Sequence, residues 1–104
     1  MKTEIIFREG GFTLRNMNDE CSVLFGDISA IHAYKADIFS YDLICVVFEK
    51  TKGEPVEVTE EASGFHDFME QIVSRFSGSD AHWYEKVVHP PFAPCPTVIW
   101  KKEP

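Results

Sequence analysis

From Leu43 to Phe48 the chain reads Leu-Ile-Cys-Val-Val-Phe, and both of its alternating sets are apolar: Leu43, Cys45 and Val47 in one, Ile44, Val46 and Phe48 in the other. A strand made of these residues has no face to turn toward water, so it belongs in the middle of a sheet with cover on both sides. Upstream, Ile28 to Lys35 forms a second strand candidate, and a break from Ala36 to Ser40 separates the two. Together they read as a central hairpin, with Leu43–Phe48 as the central strand.

The flanking segments supply partners for it. Glu4 to Arg8 and Phe12 to Arg15 alternate around Gly10-Gly11, a pair able to take the positive φ of a two-residue hairpin turn. Cys21 to Phe25 reads as a third strand, with Gly26-Asp27 as a bend. Pro55 to Thr59 alternates again; Pro55 has no amide proton for a ladder, which places it at a strand start or on an edge. Phe65, Phe68, Met69, Ile72, Val73 and Phe76 then fall at helical spacing and form one apolar stripe. Ser63 is the expected N-cap, Asp67 suits the positive end of the dipole, and Gly78 is placed to close the helix. Beyond it, Asp80 to Val88 contains His82-Trp83-Tyr84, and His89 to Pro96 carries four prolines in eight residues. Such proline density excludes helix and central strand and predicts an extended surface path. Thr97 to Trp100 reads as a last short strand.

These elements predict an α+β fold. It consists of a curved antiparallel sheet or partly open small barrel, capped by one amphipathic helix near residues 64–77 and followed by a Pro-rich C-terminal extension. A chain of 104 residues, 44% hydrophobic with nine Phe, has room for one core, so residues 1–104 are expected to form a single domain. There is no run of about 18 apolar residues and no apolar stretch of the kind that follows the N-terminus in a signal peptide, so the expectation is a cytoplasmic protein. Cys21, Cys45 and Cys95 are widely spaced with no Cys-x-x-Cys pair, which fits neither a disulfide framework nor a zinc site; Cys45 reads as a small core residue. The net charge of −7 opposes nucleic-acid and anionic-membrane binding and points to a basic macromolecular partner.

Several stretches resemble a known group. Phe25-Gly26-Asp27-Ile28-Ser29-Ala30-Ile31, set after a first hairpin and ahead of a long meander and a late amphipathic helix, is similar to the bacterial pleckstrin-homology-like proteins. Ala33-Tyr34-Lys35-Ala36-Asp37, Asp42-Leu43-Ile44-Cys45, Val56-Glu57-Val58, Gly64-Phe65, Pro91-Phe92-Ala93-Pro94 and Thr97-Val98-Ile99-Trp100 resemble, more narrowly, a family of small uncharacterised bacterial proteins. The resemblance implies a curved antiparallel sheet closed by a helix and carries no activity with it. The chain departs from the pleckstrin-homology-like pattern in having Phe25 where Trp is frequent, and in continuing well past the helix.

No catalytic or cofactor motif stands out: there is no Walker loop, no nucleophile elbow and no Gly-rich loop between a strand and a helix. His66 and Glu70 stand four apart on the predicted helix, but two ligands without a third do not make a metal site. The strongest asymmetry is electrostatic. Glu54, Glu57, Glu60, Glu61, Asp67 and Glu70 lie between Gly53 and Ser74 with no Lys or Arg among them. The plain reading is a solvated edge and helix flank; the functional reading is an acidic face that steers a basic partner. Around the central turn, Tyr34, Lys35, Asp37, Ile38 and Phe39 would form a small contact tip, with Lys35 near Asp42 as a local ion pair.

The functional expectation is therefore a non-enzymatic protein-interaction module, in one version an immunity-type protein masking a basic toxin. Its contact residues would be Glu57, Glu60, Glu61 and Glu70 together with the Tyr34–Phe39 tip. The alternative is a small-molecule-binding protein or small enzyme, using Tyr34, His82, Trp83 and His89 in a pocket between the sheet and the Pro-rich segment. An uncovered sheet edge would also allow a homodimer.

Overall fold

The computed structural model describes residues 3–38, 41–89 and 96–103. It is α+β, with two antiparallel sheets. β1 (Glu4–Arg8), β2 (Gly11–Arg15) and β3 (Glu20–Leu24) form a three-stranded meander in that order. β4 (Ile28–Asp37), β5 (Asp42–Lys50), β6 (Val56–Thr59) and β7 (Thr97–Lys101) form a four-stranded sheet in the order β6-β5-β4-β7. The expected antiparallel arrangement, a curved sheet or partly open small barrel, takes the form of two antiparallel sheets, with a 3-10 turn at Phe25–Asp27 between β3 and β4.

In the first hairpin Arg8 pairs with Gly11, so Glu9 and Gly10 make the turn, and Gly10 alone of the two glycines has positive φ, 81°. Gly11 opens β2 for a different reason. A Cβ there would lie 2.2 Å from the Val23 carbonyl oxygen on β3, so the backbones approach too closely for any side chain. The central hairpin pairs Asp37 with Asp42 and Lys35 with Ile44. β5 is interior, between β6 and β4, as its doubly apolar pattern requires. Pro55 immediately precedes β6, an edge strand.

α1 (Phe65–Arg75) buries Phe65, Phe68, Met69 and Ile72, with Phe76 buried at its end. Its start differs from expectation. The Ser63 backbone is engaged with the start of β1, its amide donating to the Thr3 carbonyl at 3.1 Å and its residue bridging to Glu4. The chain therefore enters the helix through Gly64, whose φ of 76° is accessible to glycine at little cost, and no side chain caps the N-terminus. Phe68 is the wedge between the sheets: its ring lies 4.9 Å from Phe12 on β2 and 5.8 Å from Phe48 on β5, with Phe12 and Phe48 themselves 5.1 Å apart. Fully burying a ring of this size contributes roughly 1.5–3 kcal/mol, and the edge-to-face contacts add to that.

A second helix, α2 (Trp83–Val88), was not expected; it buries Trp83 and Val87 against β4 and β7. Most of the Pro-rich stretch, residues 90–95, lies outside the described residues, as does Phe39 of the central turn. Among the described residues no helix is long and apolar enough to cross a membrane.

Candidate functional site

The two faces of β4 separate the residues of the expected contact tip. Ile31, Ala33 and Lys35 point inward, while His32 and Tyr34 stand on the outer face of the sheet. Lys35 is buried despite its charge: Nζ donates to the Val88 carbonyl at the end of α2 at 2.6 Å and lies 3.8 Å from the Asp42 carboxylate. The expected ion pair is present, but it belongs to the attachment of α2 and does not form a rim around Tyr34. The Tyr34 hydroxyl donates to Glu57 across the outer face. That bond, with burial adding to it, raises the tyrosine above its ordinary pKa of 10.0. Cys45, cross-strand from Tyr34, is buried on this same outer side, and burial pushes its thiol up. Asp37 is exposed at the end of β4 and Ile38 half-buried after it.

The alternative pocket does not assemble from its four residues. Trp83 is buried at the start of α2, His82 is an exposed N-cap whose Nδ1 lies 3.8 Å from Glu85, and His89 follows α2 beside Lys35, Asp42 and Tyr84. Tyr34 is on the far side of the sheet from all of these contacts. A shallow cleft of about 260 Å³ does lie between the sheet and α2, but its lining is Lys35, Asp42, Ile44, Glu60, Tyr84, Val88 and His89.

The acidic residues divide into those used by the fold and those turned to solvent. Glu57 is engaged by Tyr34. Glu60 is engaged by the backbone, its carboxylate accepting from the Ile44 amide at 3.1 Å while its own amide donates to the Ile44 carbonyl at 3.0 Å. Glu61 accepts the exposed Tyr41 hydroxyl at 2.7 Å, which raises that tyrosine's pKa. Asp67 and Glu70 are exposed on α1.

Two adjoining grooves bring several of these acids together. The first, about 690 Å³, is lined by Glu60, Glu61, Asp67 and His66 with the backbone that enters α1. The second, about 390 Å³, runs between α1 and α2; it is mostly apolar, with Met69, Val73 and Trp83 below and His66, Glu70 and Tyr84 at its mouth. His66 lines both grooves and meets the Tyr84 ring edge-on at 5.4 Å. Burial and the nearby Glu60 charge both push the Tyr84 hydroxyl up. Among the described residues no Lys or Arg lines either groove. Of the cations on these helices, Arg75 is held over the Phe25 ring at 4.2 Å and Lys86 is bonded to Asp80.

The sequence placed Asp67 in the acidic run but outside the named contact residues, and it assigned no contact role to Met69, Val73 or Tyr84. The stripe showed Met69 and Val73 as apolar, but only the presence of α2 turns their flank into one wall of a groove. Among the described residues no group of three or more His, Cys, Asp or Glu side chains is placed to hold a metal ion. The chain matches no protein-family model, no curated protein and no solved structure, so a functional assignment rests on this geometry alone.

Proposed function

We propose that the chain is a non-enzymatic interaction module of pleckstrin-homology-like architecture that binds a basic protein, in the manner of an immunity protein covering a cationic target. The observation that carries this reading is the pair of adjoining grooves, which present Glu60, Glu61, Asp67 and Glu70 and, among the described residues, have no Lys or Arg in their lining. A rim of four carboxylates beside a partly apolar surface favours encounter with a cationic partner and disfavours acidic ones, since like charges brought together cost several kcal/mol.

The residues for the test follow from the hydrogen bonds. Glu57 and Glu60 are poor choices because reversing them disturbs the sheet. Glu61, Asp67 and Glu70 are exposed and suitable. The Glu61→Lys/Asp67→Lys/Glu70→Lys variant should fold normally and lose a basic protein that the wild type captures from a lysate of the source organism at low salt and releases at high salt. Equal capture by the variant, with equal salt dependence, would overturn the acidic-face reading.

A further inference from the structure

The groove between α1 and α2 adds a second kind of selectivity to that acidic face. Its floor is apolar: Met69 and Trp83 are almost fully buried and Val73 half-buried. Its volume, about 390 Å³, lies near the lower end of the roughly 300–1,000 Å³ typical of enclosed ligand sites. That is room for one or two side chains. A Met in the wall adapts its shape to what enters, and the Tyr84 ring beside it offers a surface to an aliphatic group or a guanidinium. Charge then limits the occupant. Glu70 stands at the mouth, Asp67, Glu61 and Glu60 continue the rim through His66, and the neighbouring cations Arg75 and Lys86 are engaged elsewhere.

We infer that this groove receives an apolar side chain from a cationic segment of the partner protein, while an adjacent Arg or Lys of that segment pairs with Glu70. The inference rests on the acidic-face reading and deepens it: charge brings the partner in, and one inserted apolar residue fixes its register. Central desolvated anchors of this kind dominate interface energetics, with the charged rim contributing mainly rate and selectivity.

Three short synthetic peptides separate the components when titrated into the ¹⁵N-labelled full chain: one alternating Leu and Arg, one alternating Ser and Arg, and one alternating Leu and Glu. The Leu/Arg peptide should move the amide signals of His66, Glu70, Val73 and Tyr84. It should bind about tenfold more tightly than either of the others, a difference typical of one anchor contact. Glu70→Lys, or Ala81→Arg at the exposed lip, should each weaken it by about the same factor; a dispersed amide spectrum checks that each variant is folded. Equal binding of the Ser/Arg peptide, with shifts confined to Glu60, Glu61 and Asp67, overturns the groove inference and leaves the acidic-face reading standing. Equal binding of the Leu/Glu peptide overturns both. No response to any peptide overturns the groove inference, and the capture experiment then decides the acidic face independently.

Discussion

The two helices that bound the groove are held by different means. α1 brings its own apolar stripe, four of its eleven residues being buried, and inserts Phe68 between the sheets. α2 has six residues, far fewer than the roughly 12–15 at which even an isolated helix is marginal in water. It is helical because of what meets it from outside. Trp83 and Val87 pack inward, Lys35 of β4 takes the carbonyl of Val88, and Asp80 ahead of the helix accepts the His82 amide at 2.9 Å and binds Lys86. One wall of the groove thus carries a continuous stripe into the core, and the other is held there by two core side chains and a few polar contacts.

Damage to α1 should therefore threaten the whole molecule. Phe68→Ala removes a ring in contact with both sheets and leaves a cavity that rigid strands cannot fill. The expected loss is about 3–5 kcal/mol, a large share of the ~5–15 kcal/mol that stabilises a typical domain. Urea unfolding followed by circular dichroism measures it. A loss below 1 kcal/mol would mean that the aromatic wedge is not what joins the sheets.

Damage to α2 should stay local. Lys35→Met keeps the length and apolar body of the side chain, but takes the Nζ donor from the Val88 carbonyl and the positive charge from beside Asp42. The expected loss is about 1–3 kcal/mol, the range for depriving a buried polar group of its partner. The sharper readout is where it appears: amide exchange should accelerate across Trp83–Val88 while Phe65–Arg75 keeps its protection. Uniform acceleration in both helices would show that they open as one unit and would remove the contrast.

The same contrast explains what could be read from the chain in advance. Phe65 through Phe76 announce α1 because the information lies within the segment, at helical spacing, and β5 announces its interior place by being apolar on both faces. α2 lacks such a signal. Trp83 and Val87, four apart, make a single turn of stripe, and the helix begins soon after one turn and ends just before the prolines. Lys35 was legible as a neighbour of Asp42, because hairpin register is a local matter. Its second partner, Val88, lies 53 residues away, and no spacing rule reaches that far. Ser63 failed as a cap for the same reason, its backbone having been taken by β1. The acidic run itself was visible. Which of its carboxylates the fold binds, Glu57, Glu60 and Glu61, and which of them also line a groove, Glu60 and Glu61, depends on partners from β4, β5 and the central turn.

The smallest expected effect concerns the entry to α2 and its dependence on pH. Lys86, and after it the His82 amide, hold the Asp80 carboxyl below its ordinary value of 3.8. A carboxylate with a depressed folded-state pKa binds protons more weakly in the native than in the unfolded chain. Its contribution to stability is therefore complete above the unfolded pKa and fades as pH falls through the folded one. The part of the stability of α2 that Asp80 supplies should be unchanged from neutrality down to about 4 and fade only below that, with α1 unaffected by it. Because Asp80 and Lys86 are solvent-accessible, the effect should be smaller than that of Lys35→Met. Amide spectra recorded from pH 5 to pH 2.5 follow both helices at once, and Asp80→Asn supplies the control. The variant keeps an oxygen for the His82 amide but has no charge for Lys86, so α2 should be slightly looser at every pH and lose its acid-dependent step. A step of undiminished size in Asp80→Asn would assign the acid sensitivity to other carboxylates and leave Lys35 as the principal fastening of α2.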